Sequence, residues 1–191
     1  DSAHIISVDG MINLLDNQIG IDGQVVMSSD SKMGVLGNLT YAPLGFFSTW
    51  IDYQKYEPGF NLEHLGYLWR DNYSQLKTGI KFQNQESWGV IRNSAIILEW
   101  EFEENSDDLD LGKTVELSYD AMFSNFWKIG GGYYKIQEHH DDRKIYSYYN
   151  MDAFGPIIKI PEISGYHFNI SSDRHQKLSA NLSWTFATNT R

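Results

Sequence analysis

The chain has 191 residues, enough for one large β domain. Its formal net charge of -10 at pH 7 speaks against nucleic-acid binding, which needs a basic footprint. Cysteine is absent, which excludes both a disulfide framework and a thiolate metal site.

In chain order, residues 4–13 read as a first strand, followed by a tight turn at 14–17. Residues 18–28 alternate, with Ile19, Ile21 and Val25 on one face and Asp22 and Gln24 on the other. After a polar loop at 29–32, residues 33–41 form a third strand. A Pro/Gly turn at 42–45 leads to a fourth at 46–56, which carries Trp50 and Tyr53. A long connection follows at 57–72. Residues 73–83 set Leu76, Thr78, Ile80 and Phe82 against Lys77, Gly79 and Lys81. Past a short turn at 84–87, residues 88–102 make a long strand, clearest from Leu98 to Glu103. An acidic loop at 104–112 comes next. Val115, Leu117, Tyr119, Ala121 and Phe123 then face away from Glu116, Ser118 and Asp120. Ser124-Asn125 is a minimal turn before a strand at 126–137, and a third long connection covers 138–164.

The last element is a hairpin from Gly165 to Phe186. Tyr166, Phe168 and Ile170 alternate with His167, Asn169 and Ser171. Beyond a polar turn from Ser172 to Gln176, Leu178, Ala180, Leu182, Trp184 and Phe186 alternate with Ser179, Asn181, Ser183 and Thr185. Successive strand side chains point to opposite faces, so each run has one apolar and one wet face. A soluble sandwich would also have an apolar inner face. Here the wet face carries amides, hydroxyls and an imidazole along its whole length, and the apolar face ends in aromatics, as at the lumen and girdle of a membrane barrel.

About ten strands of roughly 9–13 residues result, near the length that a tilted spanning strand needs. No stretch has a helical period, and no apolar run approaches the roughly 18 residues of a spanning helix. That does not exclude a membrane, because alternating strands keep mean hydropathy negative, here -0.43. Connections after Tyr41 run short, long, short, long, as in outer-membrane barrels with tight periplasmic turns and long outer loops. The fold class is therefore all-β, an antiparallel up-and-down transmembrane β-barrel, with residues 1–191 as a single barrel region. The turns at 14–17 and 172–176 are both short, so the first strand begins and the last ends on the long-loop side. A complete bacterial barrel normally has both termini in the periplasm. The expectation is a region incomplete at both ends, whose outer strands pair with further strands of the same protein or of another chain. The rival is a self-closed ten-stranded barrel.

Several motifs resemble one known family in the same order. Glu57-Pro58-Gly59-Phe60-Asn61 through Leu65-Gly66-Tyr67-Leu68-Trp69-Arg70-Asp71-Asn72 resembles its PGF…DLGFLRRND motif. Trp127 to Gly132 resembles its W.LGGG strand. Asp141-Asp142-Arg143, then Gly155-Pro156, then Ser171 to Leu178 resemble its DDR…GGP…SSDSRKKL series. The family is the domain of unknown function 5916, and the resemblance covers residues from about 9 to 186. It implies an outer-membrane β-barrel of Bacteroidetes-type bacteria, placed at the cell surface, with a role in transport or glycan handling. Family members usually carry an N-terminal β-sandwich similar to a family-nine carbohydrate-binding module. This sequence begins within the barrel motifs, so sugar binding is not carried over from that module. Trp69 stands where the family often has Arg.

The candidate site residues are polar. Glu99, Glu101 and Glu103 share one strand face at about 6.8 Å spacing, with Lys77 and Lys81 on the neighbouring strand; they are expected to face the lumen. Paired carboxylates at this spacing also suit a glycoside hydrolase, which would need two strands flanking a sugar. Trp69, Arg70, Asp107, Asp108, Asp110, His139 and His140 are expected in extracellular loops. Imidazole and carboxylate at 139–142 are metal-type ligands, and the acidic loop is calcium-like, yet neither has a dedicated ligand spacing. No nucleophile triad, P-loop or nucleotide fingerprint stands out. The reading is an outer-membrane barrel in contact with lipid, without cofactor or nucleic acid, with a glycan as a candidate ligand. The competing readings are a soluble carbohydrate-binding sandwich and a hydrolase.

Overall fold

The computed structural model describes residues 4–43, 45–61, 68, 70–143, 146–147, 150–154, 156–173 and 175–189. All regular structure among them is β. Ten strands form one antiparallel sheet in the order β1-β2-β3-β4-β5-β6-β7-β8-β13-β14. They are β1 (Ile6–Leu14), β2 (Ile19–Met27), β3 (Met33–Tyr41), β4 (Phe47–Tyr56), β5 (Tyr73–Asn84), β6 (Ile91–Glu104), β7 (Asp110–Phe123), β8 (Lys128–Ile136), β13 (Ile163–Ser171) and β14 (Asn181–Asn189). The connection between β8 and β13 holds two small ribbons. One pairs β9 (His139–Asp141) with β12 (Ile158–Ile160), the other β10 (Tyr146–Ser147) with β11 (Asn150–Phe154).

The meander follows the local sequence. Each strand alternates, and each hairpin end is closed by residues that tolerate a left-handed backbone or cap it. Leu15, Asp16 and Asn17 all have positive φ, and the Gln18 amide closes their turn onto the Leu15 carbonyl at 3.1 Å. The expected strands are all present. Two connections differ from expectation. The acidic loop is shorter: β7 already begins at Asp110, because Asn105 Oδ1 accepts the Asp107 and Leu109 amides at 2.9 and 3.1 Å and closes the turn early. The last hairpin is wider: β14 begins only at Asn181, so Leu178 and Ala180 lie outside the strand and Leu178 is almost fully exposed. There Asp173 Oδ1 accepts the His175 amide at 2.9 Å, and the Ser172 and Ala180 backbones close the loop. The long-and-short alternation of connections therefore holds clearly at 57–72 and 137–162, but not at 105–109.

Register carries the apolar stripe across the sheet. The row Ile80, Leu98, Leu117, Tyr133, Tyr166 and Phe186 runs through five successive pairings without a change of face. Continued the other way, it passes through Thr49 and Tyr41 to Ile19 and Leu14, at the hairpin end of β1. In β6 and β7 the same row crosses mid-strand, so the strands are staggered.

Burial is inverted relative to a soluble sheet. Every large hydrophobic that is exposed within these ten strands lies on the apolar face, Met11 excepted. Leu76, Phe102 and Leu117 are 40%, 42% and 44% exposed, while Gln75, Glu101 and Glu103 on the other face are half-buried. Among the described residues the buried hydrophobics are Phe60, Tyr73, Ala95 and Leu111, and no large side chain is completely enclosed. No second layer covers the apolar face among the described residues. The outer strands β1 and β14 do not pair with one another, so the sheet is open.

Rings on the polar face press against glycines of the next strand. A Cβ on Gly79 would meet the Trp50 ring at 2.2 Å; one on Gly132 would meet the Leu117 carbonyl at 2.6 Å and the His167 ring at 2.7 Å. Gly132→Ala should therefore cost about 1–3 kcal/mol through overpacking. Gly10→Ala, with nothing within 4 Å, should change stability by about 0.5 kcal/mol or less. Urea unfolding of the refolded protein checks this; equal midpoints would show that the close approach at Gly132 costs nothing.

Candidate functional site: the polar face and its loop latch

Alternation in β4, β5 and β6 puts Gln54, Tyr56, Tyr73, Gln75, Lys77, Glu99, Glu101 and Glu103 on one face, and register brings them together. The Tyr73 hydroxyl donates to Glu103 Oε1. Gln75 Nε2 donates to Glu101 Oε1 at 2.7 Å and reaches Glu103 Oε1 at 3.4 Å. Gln54 Nε2 donates to Gln75 Oε1 at 2.6 Å. Lys77 Nζ lies 3.0 Å from Glu99 Oε1. The result is a chain of hydrogen bonds along the sheet in which carboxylates accept and amides, a phenol and an ammonium donate. Lys81 shares this face but sits nearer the hairpin end, with Asp120 beside a separate polar cavity of about 420 Å³.

At the other end a cavity of about 440 Å³ lies between Gln54, Tyr56, Tyr73, Gln75 and Glu103 and the loop residues Leu68 and Arg70. Arg70 is 8% exposed. Its guanidinium stands 5.8 Å from the Tyr73 ring centroid, a cation–π distance, and it is ion-paired to Asp142 of the long connection. One residue along each loop the charges are reversed: Arg143 Nη2 meets Asp71 Oδ1 at 2.5 Å and the Asp71 carbonyl at 3.0 Å. The pairs are thus crossed, Arg70-Asp71 against Asp142-Arg143. The third loop joins them. Asn105 Nδ2 donates to Asp142 Oδ2 at 3.3 Å, and the Ser106 amide donates to Asn72 Oδ1 at 2.9 Å. Burial alone would raise the Asp71 pKa, but hydrogen bonds from Arg143 and from the Gly59 amide, with the Arg143 charge, hold it below the usual 3.8.

Of the residues expected in outer loops, Arg70 is central to this latch. Trp69 lies outside the described residues. Asp107 and Asp108 belong to the turn capped by Asn105, and Asp110 is ion-paired to Lys113 at the start of β7. His139 and His140 are consecutive in β9, opposite Ile160 and Lys159, so their side chains leave on opposite faces and do not converge on one ion. Among the described residues no three His, Asp or Glu side chains form a metal-type cluster. Sequence reasoning missed Tyr73, Gln75 and Gln54, which become recognisable only once register pairs Gln75 with Glu103. It also missed the partnership of Asp142 and Arg143 with the Arg70-Asp71 dipeptide.

The latch is testable. Asp142→Ala removes the Arg70–Asp142 ion pair and should lower the opening free energy of segments 57–72 and 138–143 by roughly 1–3 kcal/mol. Hydrogen exchange reads it, and the swap Arg70→Asp with Asp142→Arg should recover part of the loss. Because the Asp71 pKa is depressed on folding, its stabilisation is full above 3.8 and is lost as pH falls through the lower folded value. Unchanged protection in Asp142→Ala, or loss of protection already near neutral pH, would show that these pairs do not hold the loops.

The chain matches the family model described as Domain of unknown function (DUF5916) over residues 5–191. No curated protein and no solved structure matches it. The latch residues Arg70, Asp71, Asp142 and Arg143 stand in the segments whose motifs resemble that family. A family model that accounts for nearly the whole chain leaves one conclusion: the protein belongs to the DUF5916 family.

Proposed function

We propose that this chain forms the wall of a bacterial outer-membrane β-barrel, with its apolar face in lipid and its polar face lining a water-filled path for polar solutes. The inverted burial carries this reading. Leaving Leu, Ile, Val, Phe and Trp exposed over a whole sheet face costs roughly 1.5–3 kcal/mol per large side chain in water, and nothing of the kind in hydrocarbon. A soluble sandwich would cover that face with a second sheet. Phe46, Trp88, Phe126 and Trp127 cluster in the short connections, where an interfacial aromatic girdle belongs. The latched loops then lie on the outer side. In this setting the free edges of β1 and β14 require partners, since hydrocarbon does not hydrogen-bond backbone groups. We assign them to further strands, of the same polypeptide or of another chain.

In this reading Glu99, Glu101 and Glu103 outweigh Lys77 along the path and favour cations. No step of catalysis is assigned to these carboxylates, since they lie along one strand rather than on two flanking a substrate.

The apolar face is tested with opposed arginines. Leu117→Arg, mid-strand on that face, should cost about 2–4 kcal/mol of stability in lipid vesicles. Ser118→Arg, on the polar face, should cost about 1 kcal/mol or less. Equal costs, or a protein that stays monomeric without detergent, would refute the membrane assignment. In planar bilayers Glu101→Lys should shift the reversal potential toward anion selectivity. An unchanged potential would place the carboxylate ladder away from the conducting path.

A further inference from the structure

We infer that the cavity under the latch binds a neutral polyhydroxylated ligand, a short oligosaccharide being the class that fits. At about 440 Å³ it falls within the usual range for small-ligand sites, roughly 300–1,000 Å³. Its chemistry is of two kinds. Tyr56 supplies a rigid ring: it stacks on Phe60 at 5.6 Å and lies so close to Gly34 that a Cβ there would meet the ring at 2.9 Å. A fixed ring offers an apolar surface to the C–H face of a sugar without loss of rotamer freedom. Gln54, Gln75 and Glu103 supply planar amide and carboxylate groups already oriented by one another, with donor and acceptor atoms side by side, as vicinal hydroxyls require.

Charge selects for neutrality. Among the described residues the formal charges in the lining are Arg70 and Glu103. Arg70 is committed to Asp142, and Glu103 takes the Tyr73 hydroxyl. An anionic ligand would approach Glu103 and Glu101, and a cationic one would gain from Glu103 only by displacing the Tyr73 hydroxyl and the Gln75 amide that already satisfy it. A ligand without charge meets neither penalty. Leu68 and Arg70 line the cavity from the loop side, and the ion pair with Asp142 fixes Arg70 there.

The inference deepens the reading of the polar face as a solute path by naming a solute class, but it does not depend on the membrane. The protein is refolded in lauryldimethylamine oxide, a detergent without a sugar headgroup. It is then titrated calorimetrically with neutral malto-, cello- and xylo-oligosaccharides, with cationic chitosan oligomers and with anionic oligogalacturonate. At least one neutral series should bind with Kd of about 1 mM or tighter. Gln75→Ala and Gln54→Ala should each weaken it about tenfold or more, with the β-sheet circular dichroism unchanged. Lys81→Ala, in the separate cavity at the hairpin end, should leave binding as it was. Tyr56→Ala should abolish binding; if that variant does not fold, the two glutamine variants decide. Binding of no neutral oligosaccharide, preference for a charged series, or equal affinity in Gln75→Ala overturns the inference. Sugar binding by a protein that stays monomeric without detergent would refute the barrel and leave the site standing. Arginine insertions that behave as in lipid, with no sugar bound, would do the reverse.

Discussion

A two-residue period held in register across ten strands is the constraint on which the rest of this structure depends. A slip of one residue at a pairing would turn every strand beyond it over, carrying their apolar side chains to the polar face. Such a slip is prevented locally, by turn residues that fix each hairpin, and collectively, by cross-strand pairs on both faces. On the polar face the pairs are specific: Gln75 meets Glu101 and Glu103, and Lys77 meets Glu99. On the other they are broad apolar contacts, such as Phe168 stacked on Trp184 and Tyr133 against Tyr166. A sheet with few enclosed side chains draws its order from the hydrogen-bonded ladder and these pairs, rather than from a jigsaw core.

Much of this was legible in the sequence, because alternation is a local property. Leu76 to Lys81 states its own faces, and Leu98 to Glu103 does the same. The carboxylates and lysines of the polar face could be placed on a common surface from parity alone. Strand ends were less legible. Asn105 shortens its loop by accepting two amides that an acidic run of letters does not announce. Leu178 and Ala180 continue the alternation into a segment where Asp173 and Ser172 have already closed a loop, so periodicity outran structure. Contacts between loops were not legible at all. Arg70 and Asp142 are far apart in the chain, and nothing in either segment names the other. Closure of the sheet was equally out of reach, since parity fixes which side a strand ends on and not what it pairs with.

The three latched loops show how a sheet with few enclosed side chains among the described residues can still bury a charged group. Phe60, Tyr73 and Arg70 are among the least exposed described side chains; Phe60 lies where the loop 57–72 leaves β4, and Arg70 and Tyr73 where it returns to β5. Burial of a guanidinium is tolerated there because it has a carboxylate partner and an aromatic face. The polar cavity beneath inherits its shape from this anchor.

The crossed order of the ion pairs has a consequence for the range over which the two loops attract one another. Each dipeptide, Arg70-Asp71 and Asp142-Arg143, is neutral by itself. Had both cations stood on one loop, two positive charges would face two negative ones, and the attraction would persist as the loops parted. With the signs alternating along each strap, the dipeptides part as neutral units, and their attraction falls away within a short distance. The latch therefore acts only at contact, and dissolved salt, which screens each pair singly, weakens it.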